Sequence, residues 1–472
     1  MSVFLTKSLW VVAVVVLSGC TLTPDYQRPV APIPAAWPAA FAGEQQGGSA
    51  ASIAWQDFVR NDEARELVHL ALENNRDLKT ALLDIEAARA QYRIQRADRY
   101  PFIDGQASGQ RQRVPADIGS PGQDRISDRY EVGLGLTAFE LDLFGRLRSL
   151  SEAALQEYLA TEEVARAVRI SLIVSVLESY VVADGALKRR LLTQETLQTR
   201  QISLNLISQR RSQGVASALD YQDAIALTEE ARAELERTDR EFQRARNALA
   251  MLVGNTVDRD AILTAPASGS IISDQVHAGL PAELLQRRPD ILAAERRLMA
   301  RNADIGAARA AFFPRLSLTG SYGSASSDLS GLFEAGSGAW TFAPRIDLPI
   351  FRGGQNRASL DLASVRRDRA VVAYERTIQT AFREVVDALD GRETLAREAQ
   401  ARRALAAAST QALTLAEARY KQGVDGFLRY LDSQRSSFAD RVGAIDAATE
   451  HDVAVVQLFG AVGGDWSAAS EL

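Results

Sequence analysis

The sequence predicts a mainly α-helical chain that carries transmembrane β-strands and is laid out as a tandem structural repeat. Three observations predict it. First, markers recur in order at an offset of about 206–213 residues. Gln213-Gly214-Val215 returns as Gln422-Gly423-Val424. Leu219, Tyr221, Asp223, Arg232, Glu241 and Gly254 return as Leu428, Tyr430, Asp432, Arg441, Glu450 and Gly463. Asp184-Gly185 returns as Asp390-Gly391, and Pro101 returns as Pro314, each after an aromatic residue. Second, no proline lies between Pro121 and Pro266 or after Pro349, which permits very long helices. Third, short stretches alternate apolar and polar residues with a period of two, as strands with two unlike faces do.

The N-terminus reads as a signal peptide over residues 1–19. Lys7 is a thin positive region, and Leu9 to Leu17 are all apolar, too short a run to span a bilayer, which takes roughly 20 residues. Leu17-Ser18-Gly19-Cys20 resembles a bacterial lipobox, with Cys20 as the lipidated mature terminus; a plain secretory peptide with an incidental cysteine is the alternative. Cys20 is the one cysteine in the chain. Thr21, rather than an acid, follows it, which favours outer-membrane sorting. Residues 20–55 carry Pro24, Pro29, Pro32, Pro34 and Pro38 and read as a lipid-anchored, extended tether. A net charge of −6 argues against nucleic acid. Three histidines and one cysteine offer little for a metal site or a disulfide framework, and no cofactor beyond the lipid at Cys20 is expected.

The first repeat, 56–265, is read as a helix, a β-hairpin at about 101–143 and long helices at about 146–254. A linker at 266–281 follows. The second repeat, 282–472, is read as a helix, a hairpin at about 314–350, long helices at about 355–462 and a C-terminal tail. From Arg146 to Arg211 only Gly185 interrupts, a helix on the order of 100 Å long. Tyr221, Ile225, Thr228, Ala231, Leu235, Thr238, Phe242, Ala245, Leu249 and Leu252 step by three and four, as a coiled-coil seam does. Tyr130, Val132, Leu134, Leu136 and Ala138 are expected on one face of a strand; Leu316, Leu318 and Tyr322, then Trp340, Phe342, Ile346 and Leu348, on one face of two others. Residues 102–113 are the weakest strand, with Arg111 and Arg113. Such segments fit either a transmembrane barrel or a soluble two-hairpin sheet. Four strands cannot close a membrane barrel, which takes at least 8. Two chains would give 8 strands around a filled interior; three would give 12 and room for a conduit.

The ordered set of motifs resembles the TolC-like outer-membrane efflux proteins, specifically the lipoprotein branch serving resistance-nodulation-division (RND) multidrug pumps. It is carried by Leu284-Leu285-Gln286-Arg287-Arg288-Pro289-Asp290-Ile291 with Ala294-Glu295, by Ala311-Phe312-Phe313-Pro314-Arg315-Leu316, by Glu140-Leu141-Asp142-Leu143-Phe144-Gly145-Arg146, and by Asp347-Leu348-Pro349-Ile350-Phe351-Arg352-Gly353-Gly354. It runs from Cys20 to about Trp466. The resemblance implies a homotrimer with a 12-stranded outer-membrane β-barrel, continuous with a long periplasmic α-helical barrel. An equatorial belt would use parts of 55–75, Gly185 to Leu197, the stretch after Gly391 and the tail. It implies an exit duct of a tripartite pump, passively conducting drugs or other small molecules, with a periplasmic membrane-fusion adaptor and an inner-membrane RND pump as partners. A type I protein secretion duct and a non-channel coiled-coil scaffold are the alternatives. No enzyme is expected.

Arg288, Pro289 and Asp290 read as a structural motif: proline suits the first helical position, and Asp290 and Glu295 put negative charge near a helix N-terminus. Gly214 and Gly423 mark turns where long helices reverse. By resemblance these turns are the periplasmic tips, and Asp425, Asp220, Tyr420, Asp432 and Arg419 are gate residues, with Asp425 in a ring at the constriction. Three such carboxylates around an axis would favour cations and raise one another's pKa. A solvated turn residue is the alternative for Asp425, and an ordinary seam aromatic for Tyr420.

Overall fold

The computed structural model describes residues 21–41, 53–113, 126–254 and 258–464. Cys20, the signal segment, residues 114–125 of the first hairpin and the tail beyond Gly464 lie outside the described residues. In chain order the main elements are α1 (Asp62–Asn74), α2 (Arg76–Ala97), β1 (Ile103–Arg113), β2 (Ile126–Leu141), α3 (Arg146–Ser212), α4 (Ala218–Leu252), α5 (Pro281–Arg287), α6 (Pro289–Ala310), β3 (Arg315–Ser326), β4 (Gly338–Asp347), α7 (Gln355–Lys421) and α8 (Phe427–Ala461). The matched lengths of α3 and α7, 67 residues each, and of α4 and α8, 35 each, display the repeat. The chain groups into two compact units. One comprises residues up to Val30, Asp84–Thr161 and Ala293–Tyr374; the other comprises Ala31–Leu83, Glu162–Leu292 and Glu375 onward.

The first unit holds a four-stranded antiparallel sheet in the order β1-β2-β3-β4. Cross-strand partners share a face, so the register sorts the side chains. Leu134 pairs with Tyr322 and Tyr322 with Trp340; Gly320 pairs with Phe342, and Leu316 with Ile346. This face is apolar yet exposed: Tyr322 is 75% and Trp340 73% accessible. The opposite face carries Gln106, Ser108, Glu131, Ser317, Thr319, Ser321, Thr341 and Arg345.

Two details differ from the alternation read in the sequence. Between Leu136 and Phe139 the register slips by one residue against β3, and Ala138 sits at φ 48°. This bulge takes Ala138 off the apolar face and puts Phe139, opposite Leu318, in its place. Arg111 lies on the apolar face, but at the strand end, where it pairs with Asp128 at 3.4 Å. It is therefore far from the strand centre, where a lipid-facing arginine would cost about 2–4 kcal/mol.

On the polar face a glycine pair lets two strands approach closely. Gly133 faces Gly323. A Cβ on Gly323 would fall 2.1 Å from the Val132 carbonyl oxygen, and one on Gly133 would fall 2.5 Å from that of Tyr322. Both obstacles are backbone and cannot rotate away.

In the second unit, the N-terminal stretch and the segment between the repeats supply core rather than slack. Phe58 stacks on Phe459 of α8 at 4.3 Å. Val59 forms a β-bridge with Ile272, and Ile271, Ile272 and Val276 are buried. Trp37 is buried, stacks on Phe382 of α7 and donates to the Gly279 carbonyl at 2.7 Å. Tyr180 of α3 donates to Glu63 and Asn61, at 3.0 Å each. Gly185 does not break α3. It lets α8 approach, since a Cβ there would lie 2.3 Å from Thr449 Oγ1. In α4, the expected seam residues Thr228, Ala231, Thr238, Phe242 and Leu249 are buried, joined by Ala224, Leu227, Arg246 and Ala250.

A Gly323→Val substitution is expected to cost roughly 3 kcal/mol or more, because the β2–β3 backbones must separate; thermal melting and oligomer yield in detergent check it, with Gly336→Val, which faces open space but adds left-handed strain, as the loop control.

Candidate functional site

The two helix reversals share one backbone solution. After α3, Gly214 adopts φ 75°, its N–H bonding to the Arg211 carbonyl, while the Val215 N–H bonds to Arg210. After α7, Gly423 adopts φ 75°, its N–H bonding to Tyr420, while Val424 bonds to Arg419. Left-handed glycine closes a helix C-terminus because it satisfies orphan carbonyls without a Cβ clash.

The repeats then diverge. At the first tip Ser217 caps α4 and receives the Asp220 N–H, while the Asp220 carboxylate accepts the Ser217 N–H at 3.1 Å, a reciprocal capping box. In this chain Asp220 thus caps its own helix. At the second tip the cap position is Gly426, with no side-chain cap. Here Arg419 reaches across the turn to Asp425, with Nε to Oδ2 at 2.7 Å and Nη2 to Oδ1 at 2.9 Å. The pair is fork-to-fork and ties the last turn of α7 to the chain before α8. The Arg419 guanidinium holds the Asp425 carboxyl below its ordinary range, and Asp425 holds Arg419 above its own.

Tyr420 is a packing residue. It is buried, stacks on Tyr430 at 5.6 Å and meets Phe427 at 5.5 Å. The Arg210 guanidinium from the first tip stands 4.8 Å from its ring centre. Ile207, Ala224, Leu227 and Leu431 complete this cluster, which joins the two helical hairpins. Asp432 is exposed on α8, outside the cluster. Val215, Leu219, Val424 and Leu428 are exposed apolar residues at equivalent places on the two tips.

The Arg-Pro-Asp motif is a junction in the second unit. Pro289 starts α6, and Arg288 ends α5. Arg288 is 9% exposed, pairs with Asp290 at 2.7 and 3.0 Å, reaches Glu384 of α7 at 2.8 Å and donates to the Ala461 carbonyl at 2.8 Å. Burial pushes the guanidinium pKa down, but the two carboxylates outweigh it and hold it above its ordinary value. Asp290 also accepts the Ile291 N–H. Glu295 does not serve the helix start: it lies two turns in and binds Arg28 and Tyr26 of the N-terminal segment. Sequence reading missed that pairing and the Arg419–Asp425 clamp. The only signal for the clamp was opposite charge on either side of a glycine turn.

The chain matches the family description "Outer membrane efflux protein" over residues 67–255 and 280–464, most of its length and once per repeat. The chain belongs to that family. The outer membrane protein OprJ of Pseudomonas aeruginosa is 54% identical over 97% of this chain and 95% of its own. The solvent efflux pump outer membrane protein SrpC of Pseudomonas putida is 46% identical over 98% of each. Among solved structures, a membrane protein from Pseudomonas aeruginosa superposes with a TM-score of 0.90 at 54% identity, covering 95% of this chain and 98% of that one. The open-state MtrE outer membrane channel of Neisseria gonorrhoeae gives 0.84 at 38% identity, covering 94% and 98%. As a member, this chain is an outer-membrane efflux channel.

Two outcomes are expected from this geometry. Arg288→Ala should cost about 2 kcal/mol in chemical denaturation, less than the ~3–5 of a fully buried pair, because Asp290 and Glu384 keep 39% and 41% of their side chains exposed. The Asp425 pKa is depressed in the folded state, so its pairing is fully present above the ordinary carboxylate pKa and is lost only as pH falls through the depressed value. Tip conformation, followed by a spin label near Gly426, is therefore expected to hold constant from about pH 8 to pH 5 and to loosen below about pH 4.

Proposed function

We propose that this chain works as a homotrimer, whose strands close one 12-stranded barrel in the outer membrane, and as the passive exit duct of a tripartite efflux pump. The observation that carries the reading is the open sheet. Its outer strands β1 and β4 each leave one edge without a partner strand among the described residues, while one face is apolar and exposed. Hydrocarbon offers no hydrogen-bond partners, so such edges must be paired by other copies. The junctions between helices and strands support the same placement: Tyr100 and Phe102 before β1, Phe312 and Phe313 before β3, and Ile350 and Phe351 after β4 are exposed apolar residues, the kind found at membrane interfaces.

A periplasmic adaptor docks on the exposed apolar tips, and an inner-membrane RND pump supplies the energy and the substrate choice. The relatives named for solvent, toluene and antibiotic efflux support small apolar or amphiphilic cargo. Cys20 carries the lipid that anchors the N-terminus. Tyr420 and the two glycine turns hold the tips together, and Asp425 narrows the periplasmic end as one half of an ion pair rather than as a bare carboxylate; Asp220 and Asp432 face neighbouring chains.

Planar-bilayer recording of the purified trimer tests this. Wild type is expected to give small channels of weak cation preference. Arg419→Ala, which frees the carboxylate, is expected to increase that preference, and Asp425→Ala to reverse it. Channels of unchanged selectivity in both variants would remove the pair from the constriction, and a purified protein that is monomeric and inserts nowhere would sink the duct.

A further inference from the structure

The N-terminal segment of the first unit is not slack. Residues 21–30 form no helix or strand, yet they are pinned along α6 at successive points. The Arg28 guanidinium donates to both oxygens of Glu295, at 2.7 and 2.6 Å, and the Tyr26 hydroxyl donates to the same carboxylate at 3.0 Å. The Pro24 carbonyl accepts from Asn302 Nδ2 at 2.7 Å. Thr23 sits in the notch left by Gly306, where a Cβ would lie 2.2 Å from Thr23 Oγ1, and that hydroxyl lies 3.0 Å from Ser149 Oγ of α3. The Leu22 carbonyl accepts from Arg309 at 3.2 Å.

The partners 295, 302, 306 and 309 lie on one stripe of the helix, spaced by seven, four and three. Their order runs opposite to the segment. From Glu295 to Arg309 the helix rises about 21 Å at 1.5 Å per residue. From Arg28 to Leu22 an extended chain covers about 20 Å at 3.4 Å per residue. The two lengths match, so the segment has one register in which every anchor is met. Glu295 is the strongest of these anchors: its side chain is 5% exposed, and three bonds converge on it. Burial first, and then Glu295, push the Tyr26 hydroxyl pKa up, so it stays a donor.

We propose that Glu295 is a positioning residue that latches the N-terminal segment in register on α6, and that this latch sets the level at which the lipid on Cys20 meets the membrane. Thr21 is one residue from the Leu22 anchor, and Arg309 is six residues before β3 begins, so the latched terminus is delivered toward the handover from helix to strand. The lipid half of the proposal rests on the lipidation of Cys20 put forward above; the latch half does not.

The test uses the full-length protein expressed in cells with Thr23→Cys and Ser149→Cys. Two hydroxyls 3.0 Å apart become thiols that copper phenanthroline should join. The disulfide is expected to form readily, to form about tenfold more slowly when Arg28→Ala is added, and to recover in part with Arg28→Lys, which restores one charge-assisted bond. Arg28 is half exposed, and Tyr26 still donates to Glu295 when Arg28 is lost. Protein carrying Arg28→Ala should keep its palmitate label at residue 20 but yield assembled, heat-resistant oligomer more slowly. A disulfide rate indifferent to Arg28 overturns the latch. Oligomer that appears at the wild-type rate while the disulfide slows overturns the role in setting lipid level. Absence of palmitate label in the wild type overturns the lipidation reading alone, and the disulfide comparison still decides the latch.

Discussion

A β-sheet edge cannot face hydrocarbon, and this constraint organises the molecule. Every backbone amide at an open edge needs a partner that lipid does not offer. One chain builds a sheet with an apolar face, with a bulge at Ala138 and a close backbone approach at the facing pair Gly133 and Gly323. Among the described residues it does not build enough strands to close that sheet. In the proposed trimer, other copies complete that closure. The glycine pair sits on the polar side, where the two backbones come too close to admit a Cβ. The large apolar residues sit on the other side.

The repeat shows how one backbone plan can serve two tasks. Both reversals use the same left-handed glycine and the same pair of carbonyl bonds. The first tip is closed locally by Ser217 and Asp220. The second lacks a side-chain cap and is held by an ion pair across the turn, exposed to water. An exposed pair contributes little to stability. The aromatic cluster around Tyr420 and Tyr430 supplies the cohesion that the ion pair does not, with Arg210 of the first tip reaching onto its ring.

Much of the helical content was legible because its signals are local. Long stretches without proline and a three–four stepping of small and apolar residues need no partner to be read. The strand faces were legible for the same reason: alternation is a property of neighbours, and Leu316, Leu318, Tyr322, Trp340 and Phe342 share one face as that period requires. The bulge was not legible, because an extra residue is visible only against the strand it pairs with. Gly185 looked like an interruption and is a contact point, since its cause, Thr449, lies on a helix far along the chain.

By itself the sequence determined the kind of chain: a doubled plan of very long helices and four strands, with an ordered set of family motifs and glycines at its reversals. Those features follow from local sterics and periodicity. Only the tertiary structure decided which charges meet. Asp425 binds Arg419 instead of standing alone, and Glu295 serves Arg28 and Tyr26 instead of a helix terminus. Arg288 gathers Asp290, Glu384 and the Ala461 carbonyl at one point. A side chain's charge is written in the sequence. Its partner is set by distance in space, and a few ångströms decide whether a carboxylate is a bare ring charge, a clamp or a latch.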